Sequence, residues 1–295
     1  MLVKNEVKAT LALILTAFIW GLAFIGVQSA LDNGWTTFPL LFVRGLIGGL
    51  CILIFTLKKK WWKDKNIIIA GVITGVLFFA GFAGQTYGQN LSTVPNSAFL
   101  TALNIVFIPF IEFILFKKKI KLKVILATLI ALIGVGILTL DANFNFHIGD
   151  ILIILGAVSF AGQIVYIKRC ANKFDNLSLT AIQLFTMSIL SLFFMLITKD
   201  TTFGKGGWVG VLYAAIFSSA IASVLQIYGL KYVSSSKGSL ILVQESMIAT
   251  YLSIWLLKEP FTLKILFGGC LLVLSILVIE LDINFKKEKN SMKIE

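Results

Sequence analysis

Residues 66–88 read NIIIAGVITGVLFFAGFAGQTYG, and residues 207–229 read GWVGVLYAAIFSSAIASVLQIYG. Neither stretch carries a charged side chain, and each runs for 23 residues. A helix of that length reaches about 34 Å, enough to cross a hydrocarbon core about 30 Å thick. A helix at a water-facing surface would need a polar stripe, which neither stretch has. The two also end alike: Gln85, Tyr87 and Gly88 stand 141 residues before Gln226, Tyr228 and Gly229. One pair of segments thus points both to membrane spans and to an internal repeat.

Working outward, apolar runs between polar punctuation predict ten transmembrane helices, at residues 8–31, 36–57, 66–88, 95–116, 122–140, 149–169, 177–198, 207–229, 236–257 and 262–281. The composition agrees: 58% of the residues are hydrophobic and 14% charged, against about 25% charged in an ordinary soluble domain. No polar stretch is long enough to fold as a separate water-soluble domain. The run from Ala9 to Ala30, preceded by Lys4 and Lys8, resembles a signal peptide but is long enough to span. It reads as an uncleaved first helix.

The net charge of +12 reports topology rather than a nucleic-acid partner, because the cations sit in short clusters between spans. With the N-terminus inside, the inner segments hold Lys4 and Lys8, the lysines from Lys58 to Lys65 and from Lys117 to Lys123, then Lys168, Arg169, Lys173, Lys231, Lys237 and four in the tail. The outer segments hold only Lys199, Lys205, Lys258 and Lys264. Such a bias predicts a multi-pass protein of the cell membrane with both termini cytoplasmic. Cys51, Cys170 and Cys270 have no disulfide or zinc spacing.

The 141-residue offset extends along the chain, matching Gly21 to Gly162 and Lys117, Leu122 and Lys123 to Lys258, Leu263 and Lys264. The expected architecture is an all-α integral membrane protein in two five-helix repeats, residues 1–141 and 142–282, with a basic cytoplasmic tail at 283–295. Five helices per repeat force the second copy to enter the membrane upside down. Inverted repeats are typical of secondary transporters, whose halves exchange conformations to open a central site alternately to each side. The alternative is a duplicated protein of another kind, such as a passive solute channel.

Trp20, Gly21 and Phe24 in the first helix, Arg44 in the second, the run Leu257 to Thr262 (LKEPFT) and Gly268-Gly269 together resemble the EamA-type ten-helix group of the drug/metabolite transporter superfamily. The resemblance spans the chain. It departs at Lys118, where the family usually carries a glutamate, and at Ala161, where a tryptophan usually precedes the glycine. It implies an inner-membrane carrier with a central cavity and does not single out a substrate.

Ionisable groups at mid-membrane face a cavity or a partner, because lipid contact costs at least ~2.5–3.5 kcal/mol. Glu245 lies nine residues into the ninth predicted helix and Arg44 eight residues into the second, both about 13 Å deep. Glu245 is a candidate for a cationic substrate group or a coupling proton, Arg44 for a substrate carboxylate; the competing reading pairs them as a structural salt bridge. Asn104 is the repeat partner of Glu245 and shares one helical face with Ser97 and Thr101. The equivalent Gln85 and Gln226 add hydrogen-bonding capacity, as do Gln163 and Gln244. Trp20 and Tyr87 head the candidate aromatic walls, with Tyr166, Tyr228 and Tyr251 behind them. Glu112, near Lys117 and Lys118, snorkels to the interface in this reading. Small residues at Gly71/Gly75 and Ala80/Gly84/Gly88 predict a closely packed third helix.

No catalytic constellation accompanies these residues. The single histidine, His147, stands alone in a loop, and no carboxylate pair, Cys/His cluster, Walker motif or metal-ligand set is present. The expectation is a non-enzymatic, gradient-driven transporter of a small solute, embedded in the bilayer, with no cofactor or metal and no nucleic-acid partner.

Overall fold

The computed structural model describes residues 2–117, 119–120, 122–139 and 147–280. Lys118, the expected junction at 141/142 and the basic tail at 283–295 lie outside the described residues.

Helices make up nearly all of the described chain: α1 (Leu2–Asp32), α2 (Thr37–Thr56), α3 (Lys65–Gln89), α4 (Val94–Ala102), α5 (Asn104–Phe116), α6 (Leu122–Thr139), α7 (Ile148–Cys170), α8 (Asn176–Thr198), α9 (Trp208–Tyr213), α10 (Ala222–Tyr232), α11 (Ser235–Leu242), α12 (Gln244–Leu256) and α13 (Leu263–Glu280). A π-helical segment, Ala214–Ile221, joins α9 to α10 without a turn. Asp64, Thr93, Asp175 and Ser234 each cap the helix they precede by accepting a backbone N–H, which satisfies one of its orphan donors. Lys60, Lys117, Lys199 and Lys258 take positive φ near helix ends, where glycine is the usual residue.

Among the described residues, eight helical stretches are long and apolar enough to cross a membrane. Four are composite: Thr37–Lys59 continues α2 through a 3₁₀ turn at Leu57–Lys59, Val94–Phe116 joins α4 to α5, Trp208–Tyr232 runs through the π-segment, and Lys237–Leu256 joins α11 to α12. The remaining predicted spans correspond to α6 and α13, helices of 18 residues each. Within them the stretches Ile125–Gly134 and Leu263–Ser275 are apolar helix. The outside carries a belt of large apolar side chains, with Ile54 and Phe55 69% exposed and Val209 86% exposed. Water would not tolerate that surface; lipid does.

The halves of the chain interlock. Helix α1 packs on α10 and α12, α3 on α7 and α8, α2 on α8 and on the π-segment, and α6 on α13. Glycines permit the closest of these approaches. A Cβ on Gly84 would collide with the carbonyl oxygen of Leu152, and one on Gly88 with that of Gly149, so α3 and α7 meet backbone to backbone. Ala80 does not belong to this seam: it is exposed, and Gly81, against the ring of Phe160, holds its place. A seam following residues 81, 84 and 88 keeps to one face at 3.6 residues per turn.

Candidate functional site

Four local features shape the interior. The fourth and ninth predicted helices are each interrupted, at Leu103 between α4 and α5 and at Val243 between α11 and α12. At both breaks the backbone tightens into i→i+3 bonds, with Leu103 N–H to Leu100 O at 3.2 Å and Ser246 N–H to Val243 O at 3.0 Å. Asn104 and Glu245 therefore sit in the first turns of new helical segments, where backbone donors are freed and the helix dipole is positive. The third feature is the π-segment, which brings the adjacent Ser218 and Ser219 together against α2 and leaves the Ser218 carbonyl to accept from Trp20 Nε1 at 2.9 Å. The fourth is Gly21, whose lack of a side chain lets α1 lie against Ile248 and the Glu245 carbonyl oxygen.

Between these elements lies a cavity with about 490 Å³ of space free of protein atoms, its opening included. Seven of the eight candidates line it: Glu245, Arg44, Asn104, Thr101, Gln85, Gln226 and Trp20. Tyr87 does not. It is 48% exposed on the outside of α3, since it lies two residues from Gln85 and so about 200° around the helix axis. Gln89, four residues from Gln85, faces inward and replaces it. Tyr251 is likewise exposed, at 70%. Apart from Trp20, the aromatic wall consists of Phe24, Phe82 and Phe160, which sequence reasoning passed over. Each lies three or four residues from a recognised polar or aromatic position, and that spacing was the available signal. Ser97 is fully buried but lies beneath the cavity surface, and Glu112, Gln244, Tyr166 and Tyr228 are also outside the cavity lining.

Arg44 and Glu245 do not form the salt bridge considered above. Arg44, 1% exposed, donates from Nε to Ser219 Oγ at 2.6 Å and from Nη2 to Ser218 Oγ at 2.7 Å. Its guanidinium lies 3.7 Å from the centroid of the Phe82 ring, a cation–π contact. Two hydroxyls and an aromatic face thus hold the cation. Glu245 is 5% exposed and, among the described residues, its side chain has neither a hydrogen bond nor an ion pair. The Oδ1 of Asn104 is buried without a donor as well.

The amides differ in their freedom. Gln85 donates to Thr101 Oγ1 at 3.1 Å, and Thr101 donates onward to Ser97 O at 2.8 Å. Gln226 and Gln163 bond reciprocally at 3.2 and 3.3 Å, and Gln163 also reaches Gln183 Oε1 at 3.3 Å. Chemically, the cavity offers acceptors at Glu245 and Asn104, a cation at Arg44, and aromatic faces between. Among the described residues, no group of three or more His, Cys, Asp or Glu side chains could hold a metal ion.

Comparison with known proteins agrees with this architecture. The EamA-like transporter family matches the chain twice, over residues 7–140 and 147–281. An uncharacterised transporter of Archaeoglobus fulgidus is 31% identical over 281 residues, covering 95% of this chain and 88% of its own length. The uncharacterised transporter YoaV of Bacillus subtilis is 22% identical over 280 residues, covering 90% and 94% respectively. A solved crystal structure at 17% identity superposes with a TM-score of 0.68 over 92% of this chain and 96% of its own, a likeness of fold. A duplicated family match over nearly the whole chain, on a helical scaffold with a lipid-suited exterior, leads to one assignment: this is a multi-pass membrane protein of the EamA-like transporter family.

Proposed function

We propose that the chain is a gradient-driven transporter of a small solute, working by alternating access through the cavity lined by Arg44 and Glu245. The observation that carries this reading is Glu245 itself. A carboxyl buried in the first turn of α12 with no donor among the described residues is costly to retain, and binding a cationic group or a coupling proton offsets that cost in the loaded state. Asn104, placed equivalently in the other half and also lacking a donor, completes an acceptor pole.

The proposed architecture is ten transmembrane helices in two inverted repeats, residues 1–141 and 142–282, with both termini cytoplasmic in the cell membrane. The packing supports it, because contacts occur in pairs related by exchange of the halves. Helix α3 on α7 corresponds to α10 on α1, and α3 on α8 corresponds to the π-segment on α2. The helix breaks at Leu103 and Val243 and the positive-φ turns at Lys117 and Lys258 follow the same exchange. A cavity built where such halves meet can open to either side as they rock.

The test has two stages. A thermal-shift screen of the purified protein against amino acids, nucleobases, sugars and organic cations finds a ligand, since binding to the folded state raises its apparent stability. Proteoliposomes loaded with that ligand should then show saturable uptake and counterflow exchange, with Glu245→Gln folded but unable to couple. Non-saturating conduction without exchange would make the protein a channel, and full coupled transport by Glu245→Gln would remove the carboxyl from the mechanism.

A further inference from the structure

A second cavity opens on the outside of the bundle, between the first turns of α3 and the last turns of α7, with about 820 Å³ of atom-free space including its open side. Its floor, one turn into α3, is formed by the apolar Ile69 and Ala70, and Cys170 and Phe174 add apolar lining beside the cations. Its rim carries Arg169 and Lys173 with Asn66, and Tyr166 lines it one turn further into α7. Helix α7 spans 23 residues, about 34 Å, so the rim at its end stands at headgroup depth while the floor descends into the hydrocarbon.

Among the described residues, neither cation of the rim is paired with a carboxylate. Arg169 is held with its guanidinium 5.4 Å from the Phe116 ring centroid, and among the described residues neither it nor Lys173 has a side-chain hydrogen bond or ion pair. Two carboxylates at this end of the bundle are engaged elsewhere. Asp64 accepts the Asn66 N–H at 2.9 Å, and Asp175 takes Lys59 Nζ at 2.6 Å together with the N–H and O–H of Ser178. Trp61 and Trp62 pack edge to face nearby, the aromatic pairing expected of a segment in the interfacial zone. Cations at a helix C-terminus also offset its dipole, but that role needs no cleft and no apolar floor.

We infer that this cleft is a binding site for an anionic phospholipid, its phosphate between Arg169 and Lys173 and the start of one acyl chain along Ile69, Ala70 and Phe174. A basic pocket between helices at the membrane surface selects anionic headgroups, each cation contributing about a factor of five in affinity. A lipid bound there bridges the start of α3 to the end of α7, at the opposite end of this helix pair from the seam at Gly84 and Gly88.

Native mass spectrometry of the full-length protein in neutral detergent, titrated with phosphatidylglycerol or phosphatidylcholine, tests this directly. The first phosphatidylglycerol should bind at least about tenfold more tightly than phosphatidylcholine, and the Arg169→Gln/Lys173→Gln variant should weaken it about 30-fold. Lys63→Gln/Lys65→Gln, which removes equal charge from the same end outside the cleft, should leave it unchanged. Ile69→Trp fills the floor without touching charge and should also weaken phosphatidylglycerol, which keeps the test decisive if the double variant fails to fold. Equal loss in the Lys63/Lys65 variant, wild-type affinity in the cleft variants, or full displacement by millimolar inorganic phosphate would each overturn the assignment.

Discussion

Replacing Glu245 by Gln separates two accounts of the buried charges. If Arg44 and Glu245 were a buried salt bridge, neutralising one partner would strand the other, at a cost of about 3–5 kcal/mol. For a protein of this size that corresponds to a fall in Tm of roughly 6–10 °C or more. In the structure Arg44 relies on Ser218 Oγ, Ser219 Oγ and the Phe82 ring, none of which changes in Glu245→Gln. Glutamine keeps an acceptor in the cavity and replaces a carboxyl that has no donor among the described residues. The expected outcome is therefore a Tm equal to or slightly above that of the wild type, with transport lost. Arg44→Gln should behave oppositely, losing two charge-assisted hydrogen bonds worth about 1.5–3 kcal/mol each. Unfolding in detergent, followed by intrinsic tryptophan fluorescence at matched pH, reads both. A fall of 6 °C or more in Glu245→Gln would refute the assignment of Arg44 to the serines.

Further outcomes follow from the same geometry. Gly210→Ala should abolish folded protein, because its Cβ would strike the Gly26 carbonyl, whereas Gly162→Ala, with Leu77 atoms 3.5 Å away, should leave Tm within about 2 °C of wild type; size-exclusion profiles and Tm distinguish them. Burial and the neighbouring Asp32 hold the Glu259 carboxyl above its ordinary range, against the Val94 N–H bond that lowers it. The folded state thus favours its protonated form, so stability falls as pH rises from the ordinary glutamate value through the raised one; Glu259→Gln should lessen the loss between pH 4 and 7, and parallel Tm curves would contradict this. For Asp175, partial burial is outweighed by bonds from Lys59 and Ser178, which hold it below its ordinary range. Its contribution is present above the unfolded value and lost as pH falls through the depressed one. Asp175→Ala should cost about 1–2 kcal/mol at pH 7, with the gap closing in acid.

Much of the site was legible because membrane chemistry makes polar residues conspicuous. Glu245 and Arg44 stand out by depth, Asn104 by repeat arithmetic from Glu245, and Gln85 and Gln226 by their shared register. Tyr87 was misread because matching position in a repeat does not fix which way a helix face turns. The partners of Arg44 were hidden for another reason: π-helical turns have no composition that announces them, so Ser218 and Ser219 read as two small residues in an apolar run. The breaks at Leu103 and Val243 are equally silent, since neither coincides with glycine or proline, and Pro109 lies inside α5 rather than at the interruption. For α6 and α13 the hydropathy pattern sufficed: the predicted 122–140 and 262–281 meet helices at Leu122–Thr139 and Leu263–Glu280.

The bonded amides of Gln163, Gln183 and Gln226 have a consequence for recognition. In the arrangement seen here Gln163 donates to both neighbours, Gln226 donates back, and the Nε2 of Gln183 is left over. Turning all three carboxamides end for end would let Gln183 donate to Gln163 and reverse the polarity that Gln226 presents to the cavity, because an amide exchanges oxygen for nitrogen without changing shape. A wall that can swap hydrogen-bond sense in concert accommodates guests of opposite pattern on one scaffold. Under the proposed function, breadth of cargo would come from a rotatable lining, with Arg44 and Glu245 as the fixed polar ends against which each guest is held.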